Sequence, residues 1–467
     1  MHDCGTVTVI GAGLAGSEAA HQAAKFGLRV RLYEMRPNTT TPAHQTPDFA
    51  ELVCSNSLKS ASTENASGIL KEEMLLLRSI TIAAALRCRV PAGKALAVDR
   101  AKFSGRISRE LEGNPLIEVV REEVSELPPA TQGPVIIATG PLTSPKLTEQ
   151  IREITGSEHL YFFDSISPIV DGETIDYSKV FRASRYSKGS EPEGDYLNCP
   201  LSRQQYQDFV KALLSAEQVS VKEFEKELYF ESCLPIEVMA SRGVDSLRYG
   251  PMRPVGLTDP KTGRRPYAVV QLRTENTGRT MYNIVGFQTK LKYPEQRSLF
   301  KAIPGLESAE FLRYGSIHRN TYIHSPGLLR PTLELKKRQN VFFAGQIVGV
   351  EGYVESAAMG IVAGRNAALC AMGMSPVVFP PTTAIGSLLS YITDEQIRDF
   401  QPMNINFGLF PQPQKRMPKS EKRSYIAKRA LRSLEEFASA AFGHINSDDI
   451  GTKSQQGVED EARIPQI

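Results

Sequence analysis

The apolar positions of the chain fall into two kinds of pattern. Val7–Ile10 is a short, continuous apolar run and predicts a buried strand. Leu14 to Phe26 keeps small and apolar residues at helical spacing and stops at Gly27, a residue suited to closing a helix. Arg29 to Glu34 reads as a second strand that ends in an acid. Further on, the pattern predicts a helix over Ile69 to Leu86, a helix over Arg100 to Leu111 capped by Asp99, and strands at Ile117–Val120 and Val135–Ala138. From about Ser165 to Phe300 the pattern changes. Short β-like runs at Val269–Leu272 and Asn283–Phe287 follow turn signals, and one helix, Arg203 to Ala216, interrupts them. Asn340–Gly345 restores the first pattern. It leads into Glu355–Cys370, a helix of small residues in which Gly360 and Gly364 permit a close crossing. A last apolar helix is expected at Ile385–Tyr391.

These elements predict an α/β fold, a discontinuous, doubly wound Rossmann-like domain with an inserted mixed α/β domain. The expected segments are residues 1–165 for the first part of that domain and 166–300 for the insertion. Residues 301–445 form its return with basic C-terminal helices, and 446–467 form a polar, disordered tail.

The turn between the first strand and helix carries the first chemistry. Gly11, Ala12, Gly13, Leu14, Ala15 and Gly16 form GxGxxG. The first glycine allows the tight turn, the second lets backbone approach a pyrophosphate, and the third lets helix and strand pack closely. The helix N-terminus supplies N–H donors and a positive dipole end. Glu34, 18 residues past Gly16, can accept from ribose hydroxyls, and Arg36 lies beside it. This predicts a dinucleotide site without choosing between FAD and NAD. Two later segments choose FAD. Thr139 and Gly140 end a strand where the chain turns sharply, and Gly345, Gln346, Gly352 and Tyr353 bring a second helix N-terminus back to the first domain. A flavin ring and its ribityl chain need such donors, whereas a nicotinamide dehydrogenase does not.

Composition narrows the picture a little. Across 467 residues, 55 basic and 52 acidic side chains leave a net charge of +3, so nucleic-acid binding must come from local patches. Two are candidates: Arg264, Arg265 and Lys290 in the insertion, and the run that contains Lys415, Arg416, Lys419, Lys422 and Arg423. The opening residues do not read as a signal peptide and no apolar run is long enough to span a membrane, so a cytoplasmic chain is expected. The six cysteines form no CxxC pair, which argues against a metal site and for reduced thiols. Cys54 precedes a polar Ser-Asn-Ser cluster that would put it at a mouth, and Cys233 stands just before Pro235. His318 lies among Tyr, Arg and Asn residues that suggest a ligand-stacking surface. On these residues alone, each thiol reads as structural or catalytic.

GAGLAGSEAA, LYEMRP, TPAH, AELVCSNSL, VPAGKALAVDR, ATGPLTS, DYLNCP, GPMRPVGL, VVQLR, VGFQT, HRNTY and GVEGYVESAA together resemble the bacterial folate- and FAD-dependent tRNA (uracil-5-)-methyltransferases, from Val7 to about Arg432. The resemblance implies methylation of the T-loop uridine (position 54 in tRNA numbering). The carbon would come from 5,10-methylenetetrahydrofolate and the reducing equivalents from NADPH or NADH, through bound FAD. It also implies that Cys54 and Cys233 are catalytic. One thiolate adds to uracil C6 so that C5 becomes an enolate-like nucleophile, and Cys233 is the expected one, with Cys54 nearer the flavin. His318 matches a histidine that stacks on the ligand ring. The tail and Cys4 correspond to nothing in the family. Other readings are the same chemistry on ribosomal RNA, a wobble-uridine-modifying flavoprotein, or a non-catalytic RNA-binding flavoprotein. No obligatory protein partner and no metal are expected.

Overall fold

The computed structural model describes residues 5–129, 132–157, 160–185, 194–219, 229, 234–414 and 417–446. Two separate hydrophobic cores organise them. The first surrounds a five-stranded sheet in the order Val341–Phe343, Val135–Ile137, Val7–Ile10, Val30–Tyr33 and Ile117–Val120. All four pairings are parallel. The strand that opens the chain is therefore central, and the strand that closes the domain is an edge, added after the insertion. The central strand is wholly buried, as a parallel sheet covered on both faces requires.

Two helices cross tightly over this sheet, Leu14–Lys25 and Tyr353–Ala371. Glycine sets their distance. A Cβ on Gly360 would lie 2.2 Å from the Ala15 carbonyl oxygen, and one on Gly364 would lie 2.6 Å from that of Ala19. Gly16 is tighter still, since its Cβ would meet the Gly11 carbonyl oxygen at 1.7 Å. The crossing expected at Gly360 and Gly364 is thus present, and it joins segments far apart in the chain.

The single helix expected over Ile69 to Leu86 is two, Ala66–Leu76 and Ile80–Arg87. Arg78 breaks them apart at φ 58°, and Ser79 caps the second, its Oγ accepting from Ile82 N–H at 3.2 Å. The same hydroxyl donates to buried Glu18 at 2.7 Å. Continuous apolar spacing concealed the break, because neither Gly nor Pro marks it.

The second core belongs to a six-stranded antiparallel sheet ordered Phe181–Ala183, Tyr196–Leu201, Ala268–Thr274, Met281–Ile284, Ile169–Asp171 and Phe311–Arg313. The helix Arg203–Ser215 packs on it behind a capping box of Ser202 and Gln205. This sheet runs past residue 300 to Arg313. The run expected to be a strand at Asn283–Phe287 ends at Ile284, since Gly286 turns the chain at φ 77° and Phe287 becomes core. A two-stranded antiparallel ribbon, Leu160–Ser165 with Ile317–Tyr322, carries the chain between the units and sets Asp164 opposite His318.

The basic C-terminal stretch lies in the helix Lys419–Asn446, which buries Ile426, Ala430 and Leu434 in the first core. Lys428 and Arg432 face solvent. Lys415, Arg416 and the tail from 447 lie outside the described residues. Among those described, no helix is long and apolar enough to cross a membrane, and no group of His, Cys, Asp and Glu could hold a metal.

Candidate functional site

A cavity of about 420 Å³ runs along the carboxyl ends of the parallel strands, where open α/β sheets bind their ligands. The three separated segments singled out in the sequence all line it: Gly11, Gly13, Leu14 and Ala15 of the turn with Glu34 and Arg36, then Thr139 and Gly140, then Gly345, Gln346, Gly352 and Tyr353. Cys54 and His318 line it too. Of the turn residues, Ala12 and Gly16 do not line it. Ala12 instead donates its N–H to Glu34 Oε2 at 3.0 Å, and Gly16 permits the packing behind.

The walls fit a dinucleotide cofactor. Both helices that point at the cavity begin on glycine, Gly13 and Gly352, and neither has a side-chain cap. Their first-turn N–H groups are left for an anion or a carbonyl. At Gly13 and Gly140 nothing lies within 4 Å of where a Cβ would be, so backbone is open to a ligand. Ser144 lines the cavity with a buried Oγ that has no partner among the described residues.

Glu34 is held ready at one end. Burial pushes its pKa up, but Arg36 beside it and the Arg36 and Ala12 N–H groups outweigh that and hold it below the usual carboxylate range. Arg36 donates from Nε at 2.9 Å and is itself held by Glu51 at 3.1 Å. Burial, with Arg36 adding, lowers His44 to about 4, so this imidazole is neutral.

The other end holds Cys54 and His318. Cys54 sits on the loop Leu52–Asn56, and every residue of that loop is gripped. The Cys54 and Ser55 N–H groups donate to the Tyr353 hydroxyl oxygen at 2.7 and 3.1 Å. Arg313 donates to the Val53 carbonyl at 2.9 Å. Arg100 donates to the carbonyls of Leu52 and Cys54 and is paired with Glu275 from the second unit. Arg273 donates to Ser55 Oγ at 2.8 Å and to Asn56 Oδ1 at 2.7 Å. The thiol points to the Ser165 carbonyl at 3.5 Å. Three guanidinium groups thus converge on one short loop. Burial, then Arg100 nearby, lowers the pKa of Arg313.

His318 bonds through Nε2 with Ser316 Oγ at 2.9 Å, and burial lowers its pKa, with Arg313 adding to the shift. Near the helix start at Gly352, Lys59 donates to buried Glu355 at 2.8 Å, while Gln346 donates to Glu351 at 2.7 Å. Burial, reinforced by Asp164, pushes Glu351 up to about 8, so its carboxyl is largely protonated at neutral pH.

Sequence reasoning missed Arg100, Arg273, Arg313, Lys59 and Glu351. A signal was present: Arg100 ends VPAGKALAVDR, Arg273 ends VVQLR, and Glu351 is in GVEGYVES. Nothing in the sequence said that these stretches meet. Cys233 lies outside the described residues. The chain is described again from Leu234, and Ile236 N–H donates at 2.7 Å to the carbonyl of Gln288, a cavity residue. The other described thiols stand elsewhere. Burial raises those of Cys88 and Cys199, and that of Cys370 to about 11. Of the basic candidates, Arg264 and Arg265 are exposed, but Lys290 is only 5% exposed, with its ammonium 5.4 Å from the Tyr229 ring. Lys290 is packed inside the second unit and is removed from the surface candidates.

Residues 6–375 match the family model described as glucose inhibited division protein A. The chain is 56% identical over 432 residues to proteins of Bacillus cereus and Bacillus thuringiensis named methylenetetrahydrofolate--tRNA-(uracil-5-)-methyltransferase TrmFO, with 92% of this chain and 98% of each relative covered. Among solved structures, GidA of Aquifex aeolicus superposes with a TM-score of 0.67 at 19% identity, covering 93% of this chain and 73% of that one, which speaks for the fold. The chain belongs to the glucose inhibited division protein A family, and within it to the folate-dependent tRNA (uracil-5-)-methyltransferases.

Proposed function

We propose that this chain is the enzyme that methylates C5 of the T-loop uridine of tRNA (position 54), with 5,10-methylenetetrahydrofolate as carbon donor, NADPH or NADH as reductant and FAD as cofactor. The observation that carries the reading is the meeting of a dinucleotide cradle and a tightly held cysteine, Cys54, in one cavity. A flavoprotein that moved only hydride would not need a thiol there. The reading also takes the protein to work in the cytoplasm, where tRNA is, and assigns the RNA to the side of the second unit.

FAD would be held by the Gly11–Gly16 turn at its pyrophosphate, by Glu34 at a ribose and by the Gly345–Tyr353 segment at its ring. When bound it supplies two-electron transfer between the nicotinamide and the one-carbon unit. The chain's residues do the rest. Cys233 adds as thiolate to uracil C6, which makes C5 nucleophilic. C5 then attacks the activated methylene carbon, and as the C5 proton is lost that carbon's bond to its carrier nitrogen breaks, which leaves an exocyclic methylene on the ring. Hydride adds to this methylene to complete the methyl group, and the electron pair passes through C5 to expel Cys233 from C6 and restore the ring. Cys54 stands where it can take or give a proton at Sγ, and His318 packs against the ligand ring. The roles of the two thiols are assigned on the family resemblance.

A single-turnover reaction of the yellow holoenzyme with transcript tRNA, labelled methylenetetrahydrofolate and NADPH tests this. Label should appear in T-loop 5-methyluridine, and its absence would sink the reading. Full methylation by Cys233→Ala would overturn only the assignment of the nucleophile.

A further inference from the structure

A second surface carries features that the reaction does not use. The helix Tyr293–Phe300 buries Gln296, Leu299 and Phe300. Its other side presents Tyr293, Arg297 and then Lys301 just past its end, spaced four residues apart and so on one stripe. Tyr293 is 58% exposed, which is unusual for so large a ring. Behind it lies Tyr314, stacked at 5.2 Å between ring centroids and 24° between planes, and Phe311 stacks on Tyr314 at 5.3 Å and 19°. The rings form a pile that leads from the core of the second unit to solvent. Arg297 and Lys301 line the same shallow groove, and neither is ion-paired with a described residue.

This pile is tied to the cavity. Tyr314 follows Arg313, which holds the Val53 carbonyl beside Cys54. Two residues on, Ser316 bonds His318 in the cavity wall. Gln296 fixes the segment to the helix, donating to the Gly315 carbonyl at 2.9 Å and accepting from its N–H at 2.8 Å.

We propose that Tyr293, backed by Tyr314, is a stacking shelf for a base of the RNA strand beside the reacting uridine, with Arg297 and Lys301 on the adjoining phosphates. The inference deepens the function proposed above and rests on it. An enzyme that works on a base must take it out of its stack, and the neighbouring base then loses a partner. A flat aromatic face restores that stacking for any base, and the cations match the charge of the backbone. Exposed aromatic and basic side chains at helical spacing fit a polynucleotide better than an apolar protein surface.

The test uses holoenzyme and transcript tRNA. Tyr293→Ala should weaken tRNA binding about ten- to hundredfold, with Tyr293→Phe close to wild type. Arg297→Ala and Lys301→Ala should each flatten the slope of log affinity against log salt by about 0.7–0.9, which Tyr293→Ala leaves unchanged. Reduction of the bound flavin by NADPH without RNA should be the same in all variants. Unchanged tRNA affinity in Tyr293→Ala overturns the shelf, whether the variant is otherwise silent, alters the KM for the folate or alters the oligomeric state. If the wild type methylates tRNA while the variants bind normally, only the shelf falls. If the wild type binds no tRNA, the function falls with it.

Discussion

The sequence places Tyr353 in a segment expected to meet a flavin, and it lines the cavity, but its hydroxyl does something the motif does not announce. It accepts from both amide N–H groups of the Cys54 turn. Tyr353→Phe keeps the ring and leaves two part-buried donors without an acceptor, which costs about 1–3 kcal/mol each at most. The loop should loosen, and because sub-ångström placement governs such reactions, methylation turnover should fall about 10–100-fold with FAD content intact. The alkylation rate of Cys54, read by peptide mass spectrometry, should change in parallel, and an unchanged rate with unchanged turnover would contradict the clamp. A second residue-scale prediction concerns pH. Burial, with Lys25 adding, lowers His21 to about 4, against an ordinary value near 6.5. Between those values the unfolded chain binds a proton that the folded chain refuses, so stability is complete above about 6.5 and declines as pH falls toward 4. His21→Gln removes that loss. Relative to wild type, it should gain on the order of 2 kcal/mol between pH 7 and pH 4.5 in denaturant titrations.

Among the elements, the helix pair Leu14–Lys25 and Tyr353–Ala371 decides most, because each begins on an uncapped glycine at the cavity and the two touch along their backbones. The glycines at 360 and 364 were readable as a close-packing signal, while the partner helix was not, since spacing says only that something comes near. Gly360→Ala places a Cβ against the Ala15 backbone, which cannot rotate away as a side chain would. The variant should lose about 1–3 kcal/mol, seen as a lower melting temperature, and should bind FAD more weakly because Ala15 borders the cofactor turn. A variant as stable and as yellow as wild type would show that the helices can part freely. The split of the helix expected over Ile69 to Leu86 teaches the converse. A positive φ at Arg78 and a cap at Ser79 are stabilised by the bond from Ser79 to Glu18, a residue of another helix.

For the whole molecule, a ribbon carries the chain between two cores, and the Cys54 loop of the first unit is gripped by Arg273 and Arg313 and, through Arg100, by Glu275 of the second. The loop that carries the thiol is thus held by both units at once. The basic helix Lys419–Asn446 packs its apolar side on the first core, turns Lys428 and Arg432 outward and leaves Lys422 and Arg423 half-exposed. Reversing Lys422 and Arg423 to Glu should weaken tRNA binding and reduce its salt dependence by about 0.7–0.9 for each phosphate no longer neutralised, with flavin reduction untouched. Equal affinity at all salt concentrations would remove this helix from the RNA face.

The sequence by itself determined the cofactor cradle, because a strand, three glycines, a helix and an acid are contiguous and their meaning is local. It determined the fold class for the same reason, since periodicity is a property of neighbours along the chain. Through the family resemblance it also pointed to the two thiols. Only the tertiary structure decided that Arg100, Arg273 and Arg313, from three distant strands and helices, converge on the Cys54 loop, that Lys290 is packed inward, and that Tyr293 and Tyr314 stack at the surface. Those facts depend on which elements are adjacent in space. Burial and the close approach of charges set that, and no window of sequence contains it.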